Sequence, residues 1–304
     1  MPAVSVILPT YNRASLIEEA IQSVLSQTYV DFELILLNDG STDGTTDIVR
    51  KISDRRIRCI RHESNIGFTA NWTYGVRAAR SEFLSILGDD DLYKPNFLGN
   101  RMLAFQEKPE LCAVTGAFDC CDLEGNVTRK SLLPCAADKV FADRELIDLT
   151  LGFSGEWFNG ATVYRTAVVH LLWEQVIFAR TALDLALHVL ISLMTGSRVM
   201  FLAEPDVCLR VHVDQESQSN NFSLSESAAL MAIKLWHFNV KHDRRYNELF
   251  RKRFSSDLNR FGRMLWDKGL IAESRAMFLQ ELCINPYTAA TWLRYLRTYF
   301  TAPS

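Results

Sequence analysis

The sequence predicts an α/β fold: a mainly parallel sheet covered by helices on both faces, followed by a helical tail. Three observations carry this. Short apolar runs recur through the first 120 residues, amphipathic stretches of helical period separate them, and strand character gives out after about residue 224. Apolar strands alternating with helices at this spacing indicate parallel strands buried on both faces.

The elements follow in order. Val4-Ser5-Val6-Ile7-Leu8 is β-branched, compact and stopped by Pro9, which makes it the first strand. Leu16, Ala20, Ile21, Val24 and Leu25 share one face of a helix over 15–26. Phe32 to Leu37 reads as the second strand, with Glu33 its only charge, and Thr45 to Ile52 as a helix opened by the polar cluster before it. Ile57 to Arg61 is a short third strand, 68–80 another helix, and Phe83 to Leu87 the fourth strand. Ala113 to Phe118 and Phe158 to Tyr164 read as strands, 183–194 as an apolar helix containing Asp184 and His188, and Val199 to Leu202 and Val207 to Val211 as two short strands. Gly269 and Asn285-Pro286 punctuate the tail into helices, and the residues between Trp266 and Pro286 suggest one helix-turn-helix unit. The expected division is a domain over 1–219, with its acceptor region at about 120–215, and a helical subdomain over 220–304.

Composition narrows the class. At 304 residues, 48% hydrophobic and 23% charged, the chain suits a globular enzyme and excludes a disordered or fibrous one. None of the seven cysteines forms a C-x-x-C pair, so they are expected as reduced thiols in a cytoplasmic protein. Met1 leads directly into a strand-like run, and no apolar stretch reaches the roughly 18 residues of a membrane helix. Charge is uneven: residues from 220 onward carry a net +6 and the remainder −9. A basic tail suits a solvated helical face or contact with anionic lipid or a phosphate-bearing acceptor.

Ligands of open α/β sheets bind at the carboxyl ends of the parallel strands. The residues there are Pro9-Thr10-Tyr11-Asn12 after the first strand, Asn38-Asp39-Gly40-Ser41 after the second, Glu63, Asn65 and Gly67 after the third, and Gly88-Asp89-Asp90-Asp91 after the fourth. Four polar groups thus converge on one edge. Three adjacent carboxylates at the end of a buried strand repel one another unless a cation offsets them. Oxygen-only ligation suits Mg²⁺ or Mn²⁺, which keeps positions for water and substrate phosphates. Asp39 either builds its turn or accepts a hydrogen bond from a base imide or ribose hydroxyl. The chain has neither G-x-G-x-x-G nor G-x-x-x-x-G-K-[ST], which argues against dinucleotide redox chemistry and P-loop hydrolysis.

Val4 to Asn12 (VSVILPTYN), Leu36 to Gly44 (LLNDGSTDG), Asn65-x-Gly67 and Leu87 to Pro95 (LGDDDLYKP) resemble the family 2 glycosyltransferases of the GT-A fold, in that family's order and spacing over about residues 3–215. The resemblance implies a Rossmann-like GT-A domain and inverting transfer from a nucleotide-sugar, a UDP-sugar first among the candidates, with Mn²⁺ or Mg²⁺ at the acidic motif. By position, Pro9, Thr10, Tyr11, Asn12 and Asp39, with Asn65 and Gly67, would hold the nucleoside. Asp89 and Asp90 would contact donor phosphates. Many members have Asp-x-Asp-Asp here and the first of these aligns on Gly88, so Asp91 is the favoured metal ligand, with Asp89 or Asp90 assisting. Arg210-Val211-His212 resembles the family's Arg-x-His stretch: Arg210 would reach the diphosphate, and His212 would ligate metal or brace the loop. Gly160 resembles the glycine that admits the donor sugar.

An inverting transfer needs a base on the acceptor hydroxyl. The family's Glu-Asp pair aligns on Thr181-Ala182, which leaves Asp184 as the candidate catalytic base and Glu156 as its rival. The processive Q-x-x-R-W signature is absent, so one sugar is expected per encounter. The expected acceptor is a glycan or lipid-linked saccharide of surface polysaccharide synthesis, without nucleic acid, with contact at the inner membrane face through 234–263 and an open oligomeric state that includes a homodimer. Two other classes remain: a scaffold that binds nucleotide-sugar without turnover, favoured by the missing Glu-Asp pair, and a nucleotidyltransferase, disfavoured because Pro9 to Arg13 lacks glycine.

Overall fold

The computed structural model describes residues 1–130, 136–151, 157–179, 182–212 and 247–299. Its main sheet has eight strands in the order β3-β2-β1-β4-β10-β6-β11-β9. β1 (Val4–Thr10), β2 (Phe32–Asn38), β3 (Ile57–Arg61) and β4 (Phe83–Ile86) are mutually parallel, and β6 (Ala113–Gly116) runs parallel to β11 (Arg198–Leu202). Between these groups β10 (Val163–Arg165) is antiparallel to both neighbours, and β9 (Lys139–Ala142) closes the far edge antiparallel to β11.

The strands alternate between two cores. On β1 and β2, Ile7, Ile35 and Leu37 face one side and Val4, Val6, Leu8, Leu34 and Leu36 the other. Each such side chain, fully buried, contributes roughly 1.5–3 kcal/mol. The second side is covered by α1 (Ile17–Leu25), through Ile17, Ala20, Ile21 and Val24, and by α4 (Phe97–Glu107), through Phe97, Leu98, Met102 and Phe105. The first side takes α3 (Phe68–Ala78), α5 (Asp143–Leu151), α6 (Thr166–Val176) and α7 (Leu183–Leu193). α2 (Thr45–Lys51) sits beside α1.

The helical tail is present as α8 (Asn247–Asp267), α9 (Ile271–Ile284) and α10 (Ala289–Arg297), punctuated by Gly269 and Asn285-Pro286 as the sequence suggests. Phe254, Leu258, Phe261 and Leu265 of α8 join the same core as α5 and α7. The expected boundary at 219–220 lies outside the described residues.

Three features differ from expectation. A second sheet of four strands, β5-β12-β7-β8, is formed by β5 (Leu92–Tyr93), β7 (Asp119–Cys121), β8 (Val127–Lys130) and β12 (Val207–Arg210). The run Phe158 to Tyr164 is not one strand: Asn159–Ala161 makes a 3-10 turn before β10. The cysteines are not all free thiols, for Cys121 and Cys208 are disulfide-bonded. They lie on neighbouring parallel strands, Cα atoms 6.0 Å apart, a proximity that a sequence separation of 87 conceals. Cys59, Cys112, Cys120 and Cys283 are free.

Candidate functional site

The carboxyl ends of β1, β2 and β4 meet at one edge, where side chains stitch the loops together. Asn12, at φ 53°, donates its amide N–H to Ser41 Oγ at 3.0 Å and accepts the Thr42 amide on Oδ1 at 2.9 Å. The Arg13 and Ala14 amides donate to Thr45 Oγ1 and Asp43 Oδ2. Asn12 therefore binds two loops to each other, and Tyr11 beside it is exposed. Pro9 is half-buried and Thr10 buried, with the Thr10 carbonyl accepting the Asp39 amide at 2.9 Å.

Asp39 is buried and clasps the loop after β3. Its Oδ1 accepts the Ile66 amide at 2.7 Å and its Oδ2 the Gly67 amide at 3.1 Å. The clasp requires the backbones to touch. Gly40 has φ +67°, and a Cβ there would lie 2.4 Å from the Ser64 carbonyl carbon, so no other residue fits. Both Asp39 oxygens keep a lone pair for a further donor. Asn65 is exposed on the same loop.

The aspartate cluster lies at the end of β4. Asp90 and Asp91 are buried, and the Asp89 side chain is 14% exposed, with its Oδ1 3.6 Å from Arg13 Nε. Asp91 Oδ1 accepts the Arg210 amide at 3.1 Å, and His212 Nε2 lies 3.2 Å from Asp90 Oδ2. The β5–β12 pairing, with Leu92 opposite Cys208, brings these distant segments together. The Arg210 side chain is buried at 2% exposure. Its Nη2 donates to Glu19 of α1, whereas Nε and Nη1 have no partner among the described residues. Buried N–H groups of a guanidinium without acceptors are costly, and an anion would satisfy them.

Burial and then the charge of Asp90 push the Asp89 carboxyl up to about 7, against the pull of Arg13 and the Tyr11 amide. The same two causes hold Asp91 well above the usual carboxylate range, with the Arg210 amide opposing them. A folded-state value above the ordinary one of about 3.9 means that the folded protein keeps a proton that the unfolded chain releases. The Asp89 contribution to stability is therefore fully present below about pH 4 and is lost as pH rises through about 7. Urea unfolding at pH 5 and pH 8 should show wild type losing stability relative to Asp89→Asn. Identical pH dependence in the two proteins would discount the burial.

Asp184 opens α7, half-buried, and its Oδ1 accepts the Leu185 amide at 2.7 Å. Burial raises its pKa above the ordinary carboxylate value. Among the described residues, no hydrogen bond or ion pair joins it to the aspartate cluster. Its rival Glu156, with Arg180 and Thr181, lies outside them. Gly160 is buried in the 3-10 turn, and a Cβ on it would come within 2.6 Å of the Phe158 ring. The start of β10 places this turn beside the carboxyl end of β4, because Val163 pairs with Ser85 in the antiparallel register.

The structure thus groups Thr10, Asn12, Asp39 and Gly67 on one side of the edge, Asp89, Asp90, Asp91, Arg210 and His212 in the middle, and Gly160 beyond β4. Sequence reasoning missed Arg13 and Glu19, the ion partners of Asp89 and Arg210. Arg13 carried a signal, a cation directly after the first motif, whereas Glu19 looks like any exposed helix carboxylate. It also missed Arg101, whose Nη1 and Nη2 grip Asp206 at 2.6 and 2.9 Å while Nε and Nη2 hold the Ala161 carbonyl at 3.1 and 2.8 Å.

The family model described as Glycosyl transferase family 2 matches residues 5–168. An uncharacterized glycosyltransferase of Haemophilus influenzae is 34% identical over 128 residues, 41% of this chain and 51% of that protein. One from Rickettsia typhi is 42% identical over 95 residues, covering 31% and 29% of the two chains. The glycosyltransferase GlyG of Streptococcus pneumoniae is 30% identical over 125 residues, 40% and 42%. The matches span about half or less of these relatives' length. Among solved structures, S. aureus TarS 1-349 in complex with UDP superposes with a TM-score of 0.66 at 17% identity, over 97% of this chain and 88% of that one. The mannosyltransferase PcManGT from Pyrobaculum calidifontis, in complex with GDP-Man and Mn²⁺, gives 0.51 at 16%, over 98% and 85%. At such identities the likeness is one of fold.

Proposed function

The chain belongs to glycosyl transferase family 2, and on that basis we propose that it is an inverting, metal-dependent hexosyltransferase acting on a nucleoside-diphosphate sugar. The observation that carries the reading is the pairing of opposite deficits: buried carboxylates beside a buried guanidinium with two nitrogens unpartnered among the described residues. A diphosphate supplies the acceptors that Arg210 lacks, and a hard divalent cation supplies the charge that the carboxylates lack.

Asp91, with Asp89 or Asp90, has the donor chemistry for Mn²⁺ or Mg²⁺. Among the described residues, no three His, Cys, Asp or Glu groups form a ligand set by themselves, so diphosphate oxygens would complete it. Bound there, the cation would neutralise charge on the departing nucleoside diphosphate. His212 would brace Asp90 through its ring nitrogen rather than ligate directly. Thr10, Tyr11, Asn12, Asp39, Asn65 and Gly67 would form the nucleoside side, and Gly160 the sugar side. Asp184 would take the acceptor hydroxyl proton, a role suited to a carboxylate whose burial raises its proton affinity.

A UDP-sugar donor is supported by the TarS complexes with UDP and UDP-GlcNAc, while PcManGT holds GDP-Man. A glycan or lipid-linked acceptor of surface polysaccharide synthesis is the corresponding reading on the acceptor side. No described helix is long and apolar enough to cross a membrane. Peripheral contact through the basic tail is supported by the exposed Arg251 and Lys252 on α8, whereas Arg253 is engaged by buried Asp257 at 3.3 Å. Residues 234–246 of that segment lie outside the described residues.

Calorimetric titration of UDP, GDP, CDP and dTDP, with and without Mn²⁺, tests the donor site. Wild type should bind one of them in a metal-dependent way, and Asp91→Ala should weaken it by at least a factor on the order of 10 to 100, the cost of losing even an outer partner of a metal ligand. No binding to any nucleotide under either condition would favour the scaffold reading.

A further inference from the structure

Tyr164, at the middle of β10, is fully buried and its hydroxyl is shared between two elements. It donates to Asn159 Oδ1 at 2.8 Å and lies 2.7 Å from His188 Nε2. Asn159 belongs to the 3-10 turn that also carries Gly160. His188 lies on α7 one helical turn beyond Asp184, on the i and i+4 spacing that places both on neighbouring turns of one face. A tyrosine has one hydroxyl proton, and Asn159 Oδ1 can only accept. The His188 ring therefore presents its Nε2 proton to the tyrosine oxygen.

The imidazole is held for this task. It stacks on Trp157 with centroids 4.2 Å apart and planes 9° from parallel, and the Trp157 Nε1–H is fixed by Thr162 Oγ1 at 3.1 Å. Burial pushes His188 down to about 3, so the ring stays neutral at physiological pH, and its bond to Tyr164 selects the tautomer. The negative charge of Asp184 is close enough to add to burial in raising the Tyr164 hydroxyl. A neutral ring stacked between Trp157 and Tyr164 and hydrogen-bonded to the Tyr164 hydroxyl is a strut.

We propose that Tyr164 and His188 are a positioning pair: by tying the Asn159–Ala161 turn to α7, they fix the distance and angle between the donor sugar and the Asp184 carboxylate. The proposal rests on Asp184 being the base. Neither residue touches the reacting atoms. A displacement of about 1 Å far from the chemistry can cost on the order of 10²-fold in rate, so the signature of the pair is a fall in turnover without a fall in donor affinity.

The test uses the full chain, following release of nucleoside diphosphate from UDP-GlcNAc and GDP-mannose with water standing in for the acceptor, and the Kd of UDP and GDP by calorimetry. Tyr164→Phe should lower kcat by about 10²-fold and leave both Kd values within twofold. In a double-mutant cycle, Tyr164→Phe combined with Asp184→Asn should be no slower than Asp184→Asn alone, because a strut has nothing left to position. Because Tyr164→Phe orphans two buried groups and can lower stability, a second pair is made at His188. His188→Gln retains an N–H for Tyr164 and should recover most of the rate that His188→Leu loses. Wild-type kcat in folded Tyr164→Phe, equal rates in the two His188 variants, or additivity with Asp184→Asn would each overturn the positioning pair while leaving the base in place. Full activity of Asp184→Asn would remove the base assignment itself, and the pair with it.

Discussion

Replacing Arg101 by Ala should lower the unfolding free energy by about 3–5 kcal/mol, the range for removing one partner of a buried ion pair. Arg101 is wholly buried, and beyond its grip on Asp206 and Ala161 it donates Nη1 to the Phe97 carbonyl at 3.0 Å and lies 3.7 Å over the Phe97 ring. Truncation leaves the Asp206 carboxylate buried with, among the described residues, only the Asn100 amide at 3.2 Å to offset it. It also frees the Ala161 carbonyl beside the Asn159–Ala161 turn. The comparison is Arg77→Ala, which breaks an exposed pair with Glu174 at 2.8 Å and should cost about 0–1 kcal/mol. Urea titration of both variants with m-values checks this. Equal effects would mean that Asp206 finds solvent when its partner leaves.

Asp184→Asn should reduce turnover by about 10²–10⁴-fold, the usual worth of a positioned general base, with nucleotide affinity unchanged. The amide keeps the size and the bond to the Leu185 amide but cannot accept the acceptor proton. The pH dependence carries the same information. Burial raises the Asp184 pKa, and a base acts ionised, so kcat should rise with pH through a value above the ordinary carboxylate range and then level off. Initial rates of nucleoside diphosphate release between pH 4.5 and 9 measure it. An Asn variant retaining wild-type turnover would move the base to another carboxylate.

The parallel half of the fold was legible because β1, β2 and β4 are buried on both faces, so their apolar runs are uninterrupted and their ends unambiguous. The second sheet was not. β5 is two residues long, and β8 is exposed along its whole length, so neither shows a period. α4 escaped because its buried face includes Arg101, a charge that contradicts the apolar stripe until Asp206, 105 positions later, is brought beside it. At the site, the residues following each strand could be placed on one edge from topology alone. What topology could not convey was commitment: Asp39 holds a loop with both oxygens, Asp90 faces His212, and the Cys121–Cys208 link depends on register between strands far apart in sequence.

β3 is one margin of the eight-stranded sheet, and among the described residues it pairs with β2 alone. Such a margin is a template on which another chain can extend the sheet. Here it reads Ile57-Arg58-Cys59-Ile60-Arg61, preceded by Arg55 and Arg56, with Arg55, Arg58 and Arg61 in solvent. A second copy arriving edge to edge would bring the same guanidinium groups into the same narrow strip, so the arginines act as gatekeepers against sheet extension. Any pairing of two copies would therefore be expected to use a surface other than this margin.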